Sequence, residues 1–275
     1  MNNSITTEEK RKYQFIEVVL QWEGELTSSK LKDYFSIGSR TTAQKWISQY
    51  REIYPNNLCD YDPKIKQHQP SVHFAPQLTQ GTLEEYLSFF GESVSHQYLE
   101  LLNPPIRNIN PELVRQIIQS CRQKLRLDIE YLSLSSGDRE GRIISPHTLI
   151  NDGVRWHVRA YCEKNQQYRD FVLSRFSANP EYEGRAKFTE AQDAEWNNWV
   201  TVTLIPDSRL SAIKKHCIEL DYMMTHGKLN LPCRAAQVKY LLQRLRVDSY
   251  HHKPEGQQII VESDCWEALA PYRMM

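Results

Sequence analysis

The chain has 275 residues, which exceeds the usual size of one domain and predicts two or three modules. Its formal net charge of +0, with 25% charged residues, excludes a general electrostatic attraction to nucleic acid, so any such binding must come from local patches. The six cysteines form no C-x-x-C pair, which excludes the common zinc and redox motifs.

The location of the protein can also be predicted. No apolar stretch approaches the roughly 18 residues needed to span a bilayer, and the polar start Met1-Asn2-Asn3-Ser4 lacks the apolar core of a secretion signal. Cysteines scattered singly are typical of reduced thiols. We therefore expect a soluble, cytoplasmic protein with no membrane partner.

The start of the chain has the pattern of three helices. Thr6 and Glu9 form a capping-box pair for the first helix, and a second helix follows Thr27. Gly38 marks a turn, after which Ser39 can cap the third helix. This order is typical of a helix-turn-helix module.

The third helix buries one side and exposes polar residues on the other. Arginine and lysine suit the acceptors of guanine, glutamine suits adenine, and hydroxyl groups reach phosphates, so the polar side has the chemistry of a helix that reads the DNA major groove. The predicted DNA-contacting residues are Arg40, Thr41, Gln44, Lys45 and Ser48. An ordinary three-helix bundle with a solvated face is the alternative.

Residues 58–75 follow this helix and resemble the two-strand wing of a winged helix. Lys64, Lys66 and His68 are predicted at its tip, where they can contact phosphates beside the groove. Cations in both the helix and the wing favour DNA binding over a protein-interaction domain of the same shape. Further along, Asn103-Pro104-Pro105 predicts a boundary, and Asn110-Pro111 predicts the start of another helix.

Two strand-like runs place cationic and aromatic side chains on shared faces. Alternation along residues 154–162 gives one apolar face and one face that carries Arg155, His157, Arg159 and Tyr161. Residues 169–175 continue the pattern, and Asp170 there can orient or neutralise a neighbouring arginine. Arginines on a sheet suit a phosphate or a carboxylate, although arginines that merely solvate the outside of a barrel give the same pattern.

A set of motif residues spans these strands: Pro146-His147, Gly153, Arg155-Trp156-His157-Val158, Arg169 and Ser174-Arg175. Together they resemble the signature of WYL domains, the small Sm-like β-barrels of bacterial transcription regulators. The Trp-Tyr-Leu triplet that names the domain reads Trp156-His157-Val158 here. That form is found in a group similar to the BrxR regulators of BREX-type phage-defence systems, in which a winged helix-turn-helix precedes the WYL barrel and a WCX domain follows.

The resemblance implies an α+β multidomain fold. Its segments are an N-terminal winged helix-turn-helix over residues 1–80, a helical connector and dimerisation segment over 81–125, a central WYL Sm-like β-barrel over 126–190 and a C-terminal β-α-β ferredoxin-like WCX domain over 196–275. The carboxyl-terminal sequence alternates strand and helix patterns, beginning with a strand from Trp199 to Ile205, and this order fits a split β-α-β layer.

The resemblance also implies a pocket in the barrel that senses an anionic effector, such as a nucleotide or a nucleic-acid fragment. Within this scheme Trp156 is expected to pack the barrel and not to touch the ligand. The predicted effector-binding residues are Ser145, His147, Arg155, His157, Arg159, Tyr161, Arg169 and Arg175.

Catalysis has little support in the sequence. His147, His157, Asp170 and Ser174 could form a nucleophile, a base and an orienting group, but there is no G-x-S-x-G elbow, phosphate-binding loop or dinucleotide fingerprint. Paired histidines at metal-binding helical spacing are also absent from the sequence. We therefore predict that the chain is not an enzyme and uses no cofactor or metal.

These features predict a homodimeric, sequence-specific transcription regulator, more specifically a repressor of a phage-defence gene cluster, that reads a pseudo-palindromic operator in double-stranded DNA. Two alternatives stay open: a module that binds single-stranded nucleic acid, and a nucleotide-processing enzyme. Deletion of residues 1–76 distinguishes the first, because single-strand binding by the barrel would survive it. Turnover of nucleotides would reveal the second.

Overall fold

The structure is a computed structural model that describes residues 6–90, 105, 107, 109–134 and 136–273. The chain divides into two units, Met1–Leu102 and Asn103–Met275. The polar start at Met1-Asn2-Asn3-Ser4 and most of the predicted break at Asn103-Pro104-Pro105 lie outside the described residues.

Helices make up most of the described part of the first unit. They are α1 (Thr7–Glu23), α2 (Ser28–Tyr34), α3 (Arg40–Ile53) and α4 (Leu83–Phe90). The predicted capping box is confirmed, because the Thr6 hydroxyl accepts the N–H of Glu9 and the Glu9 carboxylate accepts the N–H of Thr6. Gly24 ends α1 with φ 74°, a left-handed conformation that glycine adopts at little cost.

The first three helices pack around an aromatic-rich core. Phe15 is fully buried, and its ring stacks on that of Tyr34 with centroids 4.2 Å apart. The inward residues predicted for α3, which are Ala43, Ile47 and Tyr50, are all buried. This packing leaves the opposite side of α3 to solvent.

A buried carboxylate joins α1 to the segment that precedes α4. Glu17 is fully buried and accepts the backbone N–H groups of Gln77, Leu78 and Thr79 at 2.9–3.1 Å. The hydroxyl of Tyr50 donates to the same carboxylate at 3.2 Å. A charge without water is tolerated when hydrogen bonds replace its hydration, so Glu17 fixes this segment against α1 and α3.

The wing predicted over residues 58–75 is present as isolated bridges and not as two continuous strands. One bridge joins Leu58 to Pro70, and the other joins His68 to Leu26, which lies between α1 and α2. The second bridge has an N–H···O bond of 2.8 Å in each direction. The wing is therefore anchored at its base on the helical core.

The second unit begins with a helix that is followed by a five-stranded antiparallel sheet. These elements are α5 (Pro111–Gln123), β1 (Leu125–Leu132), β2 (Arg139–Asn151), β3 (Trp156–Cys162), β4 (Gln167–Val172) and β5 (Glu181–Arg185). The strand order is β4-β3-β2-β1-β5, and we call this sheet the WYL sheet. Asn110 caps α5 and Pro111 occupies its first turn, as the sequence predicts. An apolar cluster fills the space between α5 and the sheet.

The WYL sheet is open, because its edge strands β4 and β5 do not pair with each other. A 3₁₀ turn (Leu173–Arg175) follows β4, and the next residue, Phe176, forms an isolated bridge with Tyr131 of β1. The strand predicted over residues 169–175 therefore ends in a helical turn. Arg175 lies in that turn and not on a strand face.

Two apolar positions, Val154 and Trp156, depart from the predicted alternation, and Val154 is 58% exposed. Val158 and Ala160 on β3 are fully buried, whereas Trp156 on the same strand is 45% exposed. Trp156 pairs with Asn151 at the turn end of the β2–β3 hairpin, beyond the buried cluster. The prediction that Trp156 packs the barrel is therefore wrong.

The carboxyl-terminal part forms a smaller antiparallel sheet, with strand order β7-β6-β8, beside its own apolar cluster. Its strands are β6 (Trp199–Pro206), β7 (Leu229–Arg234) and β8 (Ile259–Val261). The helices are α6 (Ala194–Asn197), α7 (Ala212–Asp221), α8 (Val238–Arg244), α9 (Pro254–Gln257), α10 (Ser263–Ala268) and α11 (Ala270–Arg273). Short 3₁₀ turns at Glu190–Gln192 and Ala235–Gln237 precede α6 and α8.

Candidate functional sites

The polar side of α3 is open to solvent. All of the predicted DNA-contacting residues of this helix are exposed: Arg40, Thr41, Gln44, Lys45 and Ser48. Their spacing places them on one side of the helix, because residues three and four apart share a face. We call this set the α3 surface. The N-terminal end of the helix is fixed by Ser39, whose hydroxyl accepts the N–H of Thr41 at 3.1 Å.

The α3 surface and the wing carry exposed cations. Arg40 and Lys45 on α3, and Lys64 and Lys66 in the wing, are exposed. None of these four forms an ion pair within the described ranges of the first unit. Asp62 shapes the turn at the wing tip by accepting the backbone N–H of Lys64 at 2.8 Å. Available positive charge is what a phosphate contact requires.

His68 does not lie at the wing tip. Its backbone forms the bridge with Leu26, and its ring lies 4.9 Å from that of Tyr61. Burial and the nearby charge of Arg51 lower the pKa of His68, so the ring is neutral at pH 7. The structure thus places the two wing lysines, and not His68, where a charged group meets solvent.

The second site lies on one face of the WYL sheet. Cross-strand pairs set Ser145 opposite Tyr161 and Ile150 opposite His157, and Arg159 lies between them on β3. Ser145, His157 and Arg159 are only 2%, 3% and 3% exposed. The face with alternating cations is therefore a covered surface within this unit and not an open hollow.

Arg159 is the centre of a buried ionic cluster. Its Nε and Nη2 donate to the two carboxylate oxygens of Asp193 at 2.6 and 2.9 Å, which is a bidentate pair. Nη2 also donates to Glu195 at 3.0 Å, and Nη1 donates to Asp170 at 3.3 Å. Burial opposes the positive charge, but Asp193 and Asp170 outweigh it and raise the pKa of Arg159. The prediction that Asp170 neutralises a neighbouring arginine is confirmed.

Asp193 binds two of the predicted effector residues at once. Besides Arg159, its carboxylate contacts Nε2 of His147 at 3.1 Å and caps α6 by accepting the N–H of Trp196 at 3.1 Å. Burial alone would raise the pKa of Asp193, but the hydrogen bonds from His147 and Arg159 hold it well below its usual range. An ionised carboxylate of the chain itself therefore occupies the cationic centre. We call Arg159 and its partners His147, Asp170, Asp193 and Glu195 the Arg159 cluster.

A second buried pair lies at the β2–β3 turn. Nε2 of His157 is 2.8 Å from Oδ2 of Asp152, and Asp152 also accepts the backbone N–H groups of Val154 and Arg155. Burial lowers the pKa of His157, so its ring is neutral at pH 7. Burial opposes ionisation of Asp152 as well, but its hydrogen bonds prevail and lower its pKa to about 2. Arg155 donates to this carboxylate from Nε at 3.2 Å, so its charge is also compensated.

Helix α8 closes over the same face. The Tyr240 hydroxyl donates to Asp170 at 2.7 Å, and Nζ of Lys239 lies 3.2 Å from the same carboxylate. The ring of Tyr240 is 4.9 Å from that of His157. Burial and the charge of Asp170 raise the pKa of Tyr240, so its hydroxyl stays protonated. The buried ions therefore connect the WYL sheet to the carboxyl-terminal helices.

The other predicted effector residues lie elsewhere. Arg169 pairs across the strands with Ala160, so its side chain is on the face opposite to Arg159, where it is exposed. Arg175 is half-buried in the 3₁₀ turn, with no carboxylate bound to it in the part of the chain that the structure describes. The ring of Tyr161 stacks on that of Phe188 with centroids 3.9 Å apart.

Sequence reasoning missed most of the partners that surround these cations. Asp193 and Glu195 are 34 and 36 residues from Arg159 along the chain, and Tyr240 is 70 residues from Asp170. No local pattern signals such contacts. Asp152, only five residues from His157, could have been found from the geometry of the hairpin turn.

Three family models match consecutive parts of the chain. The BrxR transcriptional regulator winged helix-turn-helix domain matches residues 8–92, the WYL domain matches residues 112–179, and the BrxR transcriptional regulator C-terminal dimerization domain matches residues 199–269. Together with the exposed α3 surface and the WYL sheet, they place the chain in the class of winged-helix WYL regulators.

Similarity to curated relatives identifies the family to which the chain belongs within this class. The chain is 32% identical to the DNA-binding transcriptional repressor CapW of Escherichia coli (strain KTE188), over 93% of this chain and 89% of the relative. The CapW repressors of Pseudomonas aeruginosa and Stenotrophomonas maltophilia are 30% and 29% identical over the same shares. The chain belongs to the CapW family. Among solved structures, proteasome accessory factor B/C of Arthrobacter aurescens aligns with 98% of this chain and 48% of its own, at 17% identity and a TM-score of 0.27.

The described residues contain neither a membrane-spanning helix nor a metal-binding cluster. Within the described ranges no helix combines the length and apolar character needed to cross a bilayer. Over the same residues, no group of three or more His, Cys, Asp or Glu side chains is arranged to hold a metal ion.

Proposed function

We propose that this chain is a sequence-specific DNA-binding transcriptional repressor that acts as a homodimer and controls a phage-defence gene cluster. The observation that carries the proposal is the exposed α3 surface, with cations that no carboxylate neutralises among the described residues. Membership of the CapW family supports it, because the relatives are named DNA-binding transcriptional repressors. The matches to BrxR domains support dimerisation through the carboxyl-terminal part and the link to phage defence.

The finer architecture belongs to the same proposal. We assign residues 1–80 to the winged helix, 81–125 to the connector, 126–190 to the WYL module and 196–275 to the WCX module. An Sm-like barrel is supported by the strand order β4-β3-β2-β1-β5 and by the 3₁₀ turn that leads from β4 back to β1. A ferredoxin-like arrangement of the WCX module is supported by its alternating strands and helices.

In the proposed complex, α3 enters the major groove and the wing lies on the adjacent backbone. Arg40, Gln44 and Lys45 present the donors and acceptors that distinguish base edges, while Thr41 and Ser48 have hydroxyls that reach phosphates. The wing lysines add phosphate contacts that hold the helix in register. Two copies related by a two-fold axis then read the two halves of a pseudo-palindrome.

The test uses the DNA upstream of the gene that encodes this chain, labelled with a fluorophore and titrated with the full-length protein. The double substitution Arg40→Ala and Lys45→Ala removes two base contacts worth about 1–3 kcal/mol each, so affinity should fall about 30-fold or more. Arg185→Ala with Lys187→Ala is the matched control, because it removes two exposed cations from the second unit. Equal losses in both variants would refute base reading by α3.

We also propose that an anionic, nucleotide-like effector acts on the WYL module by competing with Asp193. The support is geometric: a carboxylate of the chain itself already fills the bidentate site that Arg159 offers to an anion. An effector phosphate that takes this place would release Asp193 together with α6, which Asp193 caps. Release of the segment between the two sheets would bias the arrangement of the dimer and hence operator affinity.

Competition between the effector and Asp193 predicts the direction in which a substitution of Asp193 changes the affinity for the effector. Asp193→Asn keeps the shape of the side chain and the cap of α6 but removes the competing charge. A short 5′-phosphorylated oligonucleotide should therefore bind to this variant about tenfold more tightly than it binds to the wild-type protein. Glu181→Gln, which removes an exposed carboxylate of β5, is the control. Unchanged or weaker binding to the Asp193→Asn variant would exclude the competition.

A further inference from the structure

Helix α7 carries an apolar stripe on its solvent side. Ile213 and Leu220 are 75% and 65% exposed, and Cys217 between them is also exposed. The spacing of four and three residues puts these side chains on one line of the helix, which we call the α7 stripe. The helix faces the core through Ile218, on its other side. Such a line of exposed large apolar side chains is typical of a helix that packs on a partner.

We propose that the α7 stripe is the surface through which two copies of this chain dimerise. This inference rests on the proposed homodimer and assigns its interface. The occupant is a second copy, because the family model that covers the helix, over residues 199–269, is that of a dimerization domain. Apolar residues are also what an interface between permanent partners requires at its centre.

The order of residues along α7 favours an antiparallel pair of helices. In a two-fold interface the same patch is used by both copies, so a stripe centred on Cys217 sets Ile213 of one copy beside Leu220 of the other. Lys214 and Asp221 lie on one flank of the stripe, three and four residues to either side of Cys217. Antiparallel pairing then brings Lys214 of one copy to Asp221 of the other.

The flanking charges are suited to such a contact. Asp221 is exposed and has no cation bound to it within the described part of the chain, and Lys214 is 52% exposed with Glu255 as its partner at 2.5 Å. Exposed pairs of this kind add little affinity, but they set the orientation of the helices. The apolar stripe therefore supplies the contact, and the charges select the antiparallel arrangement.

The first experiment measures the oligomeric state of the full-length chain by sedimentation over a range of concentrations. Ile213→Glu and Leu220→Glu each place a charge within the apolar stripe, so the dimer dissociation constant should rise about 100-fold or more. Leu134→Glu is the matched control, because Leu134 is 78% exposed in a turn of the WYL sheet. A circular dichroism spectrum identical to that of wild type shows that each variant is folded.

The outcomes separate this proposal from the one on which it rests. A wild-type chain that stays monomeric at all concentrations would overturn the proposed homodimer. A dimer that withstands both Ile213→Glu and Leu220→Glu would overturn the α7 assignment alone.

A second experiment tests the antiparallel arrangement. Lys214→Asp and Asp221→Lys should each weaken the dimer severalfold, and the two together should restore it, because the contact is re-formed with its charges exchanged. A loss of dimer affinity in the double variant equal to the sum of the losses in the two single variants would exclude the antiparallel pair.

Thiol cross-linking provides a direct test of the contact. All six cysteines lie among the described residues, and Cys217 alone is exposed. A short bismaleimide should therefore link two copies of the wild-type chain but not two copies of the Cys217→Ser variant.

Discussion

Loss of Arg159 should destabilise the second unit, although its position in the motif marks it as a ligand contact. The side chain is 3% exposed, and it binds Asp193 and Asp170, whose side chains are 1% and 2% exposed. Arg159→Ala would leave both carboxylates buried without their main counter-charge. Breaking a buried ion pair by removing one partner costs about 3–5 kcal/mol. Glu195 is 53% exposed, so losing its bond adds about 0–1 kcal/mol at most.

The other partners of Asp193 and Asp170 keep the loss of stability in Arg159→Ala within about 3–5 kcal/mol. Asp193 retains His147, and Asp170 retains Tyr240, so neither carboxylate is wholly without a donor. Adding Asp193→Asn to Arg159→Ala removes one of the two buried carboxylate charges that have lost their counter-charge. The double variant should therefore be more stable than Arg159→Ala alone.

The assay is urea unfolding followed by tryptophan fluorescence, combined with hydrogen exchange of the β3 amides to assign the change to this unit. Arg169→Ala is the control, because Arg169 is an exposed arginine on the opposite face of the same sheet. A loss below about 1 kcal/mol for Arg159→Ala, or an equal loss for the control, would refute the assignment of a buried structural ion.

Four further predictions concern buried or exposed charges. Glu17→Ala should lower the free energy of unfolding of the first unit by about 3–5 kcal/mol in chemical denaturation, because it leaves several donors without an acceptor, at about 1–3 kcal/mol for each buried one. Glu52→Ala, at an exposed position, should change it by less than about 0.5 kcal/mol. The second unit should lose stability as pH falls below about 6.5, because burial lowers the folded-state pKa of His157 and the unfolded chain therefore binds the proton first. His157→Gln should flatten this part of the curve of unfolding free energy against pH. An unchanged slope in that variant would contradict the role of His157. A further loss should set in below pH 3.8, where Asp152, with its folded-state pKa of about 2, protonates first in the unfolded chain. Lys64→Ala should weaken DNA binding about equally for all sequences and reduce the slope of log affinity against log salt by about 1, as measured by titrations at several salt concentrations.

Much of the first unit could be predicted because its signals are local. The capping pair at Thr6 and Glu9, the cap at Ser39 and the inward residues of α3 all depend on residues two to four positions apart. Once the inward side of α3 is known, its polar side must face solvent, so exposure of the α3 surface follows from the sequence. The position of His68 did not follow, because it depends on a bridge to Leu26, 42 residues earlier.

The sequence by itself determined the order of the first three helices, the motif that marks the WYL module and the strands that carry most of this motif. Tertiary structure alone decided what the cationic face meets: Asp193 and α8 come from distant parts of the chain and cover Arg159. It also decided that α7 turns apolar side chains to solvent. The physical reason is that periodicity fixes which residues share a face through short-range geometry, whereas the partner of that face is selected by long-range packing and ion pairing, which leave no regular spacing in the sequence.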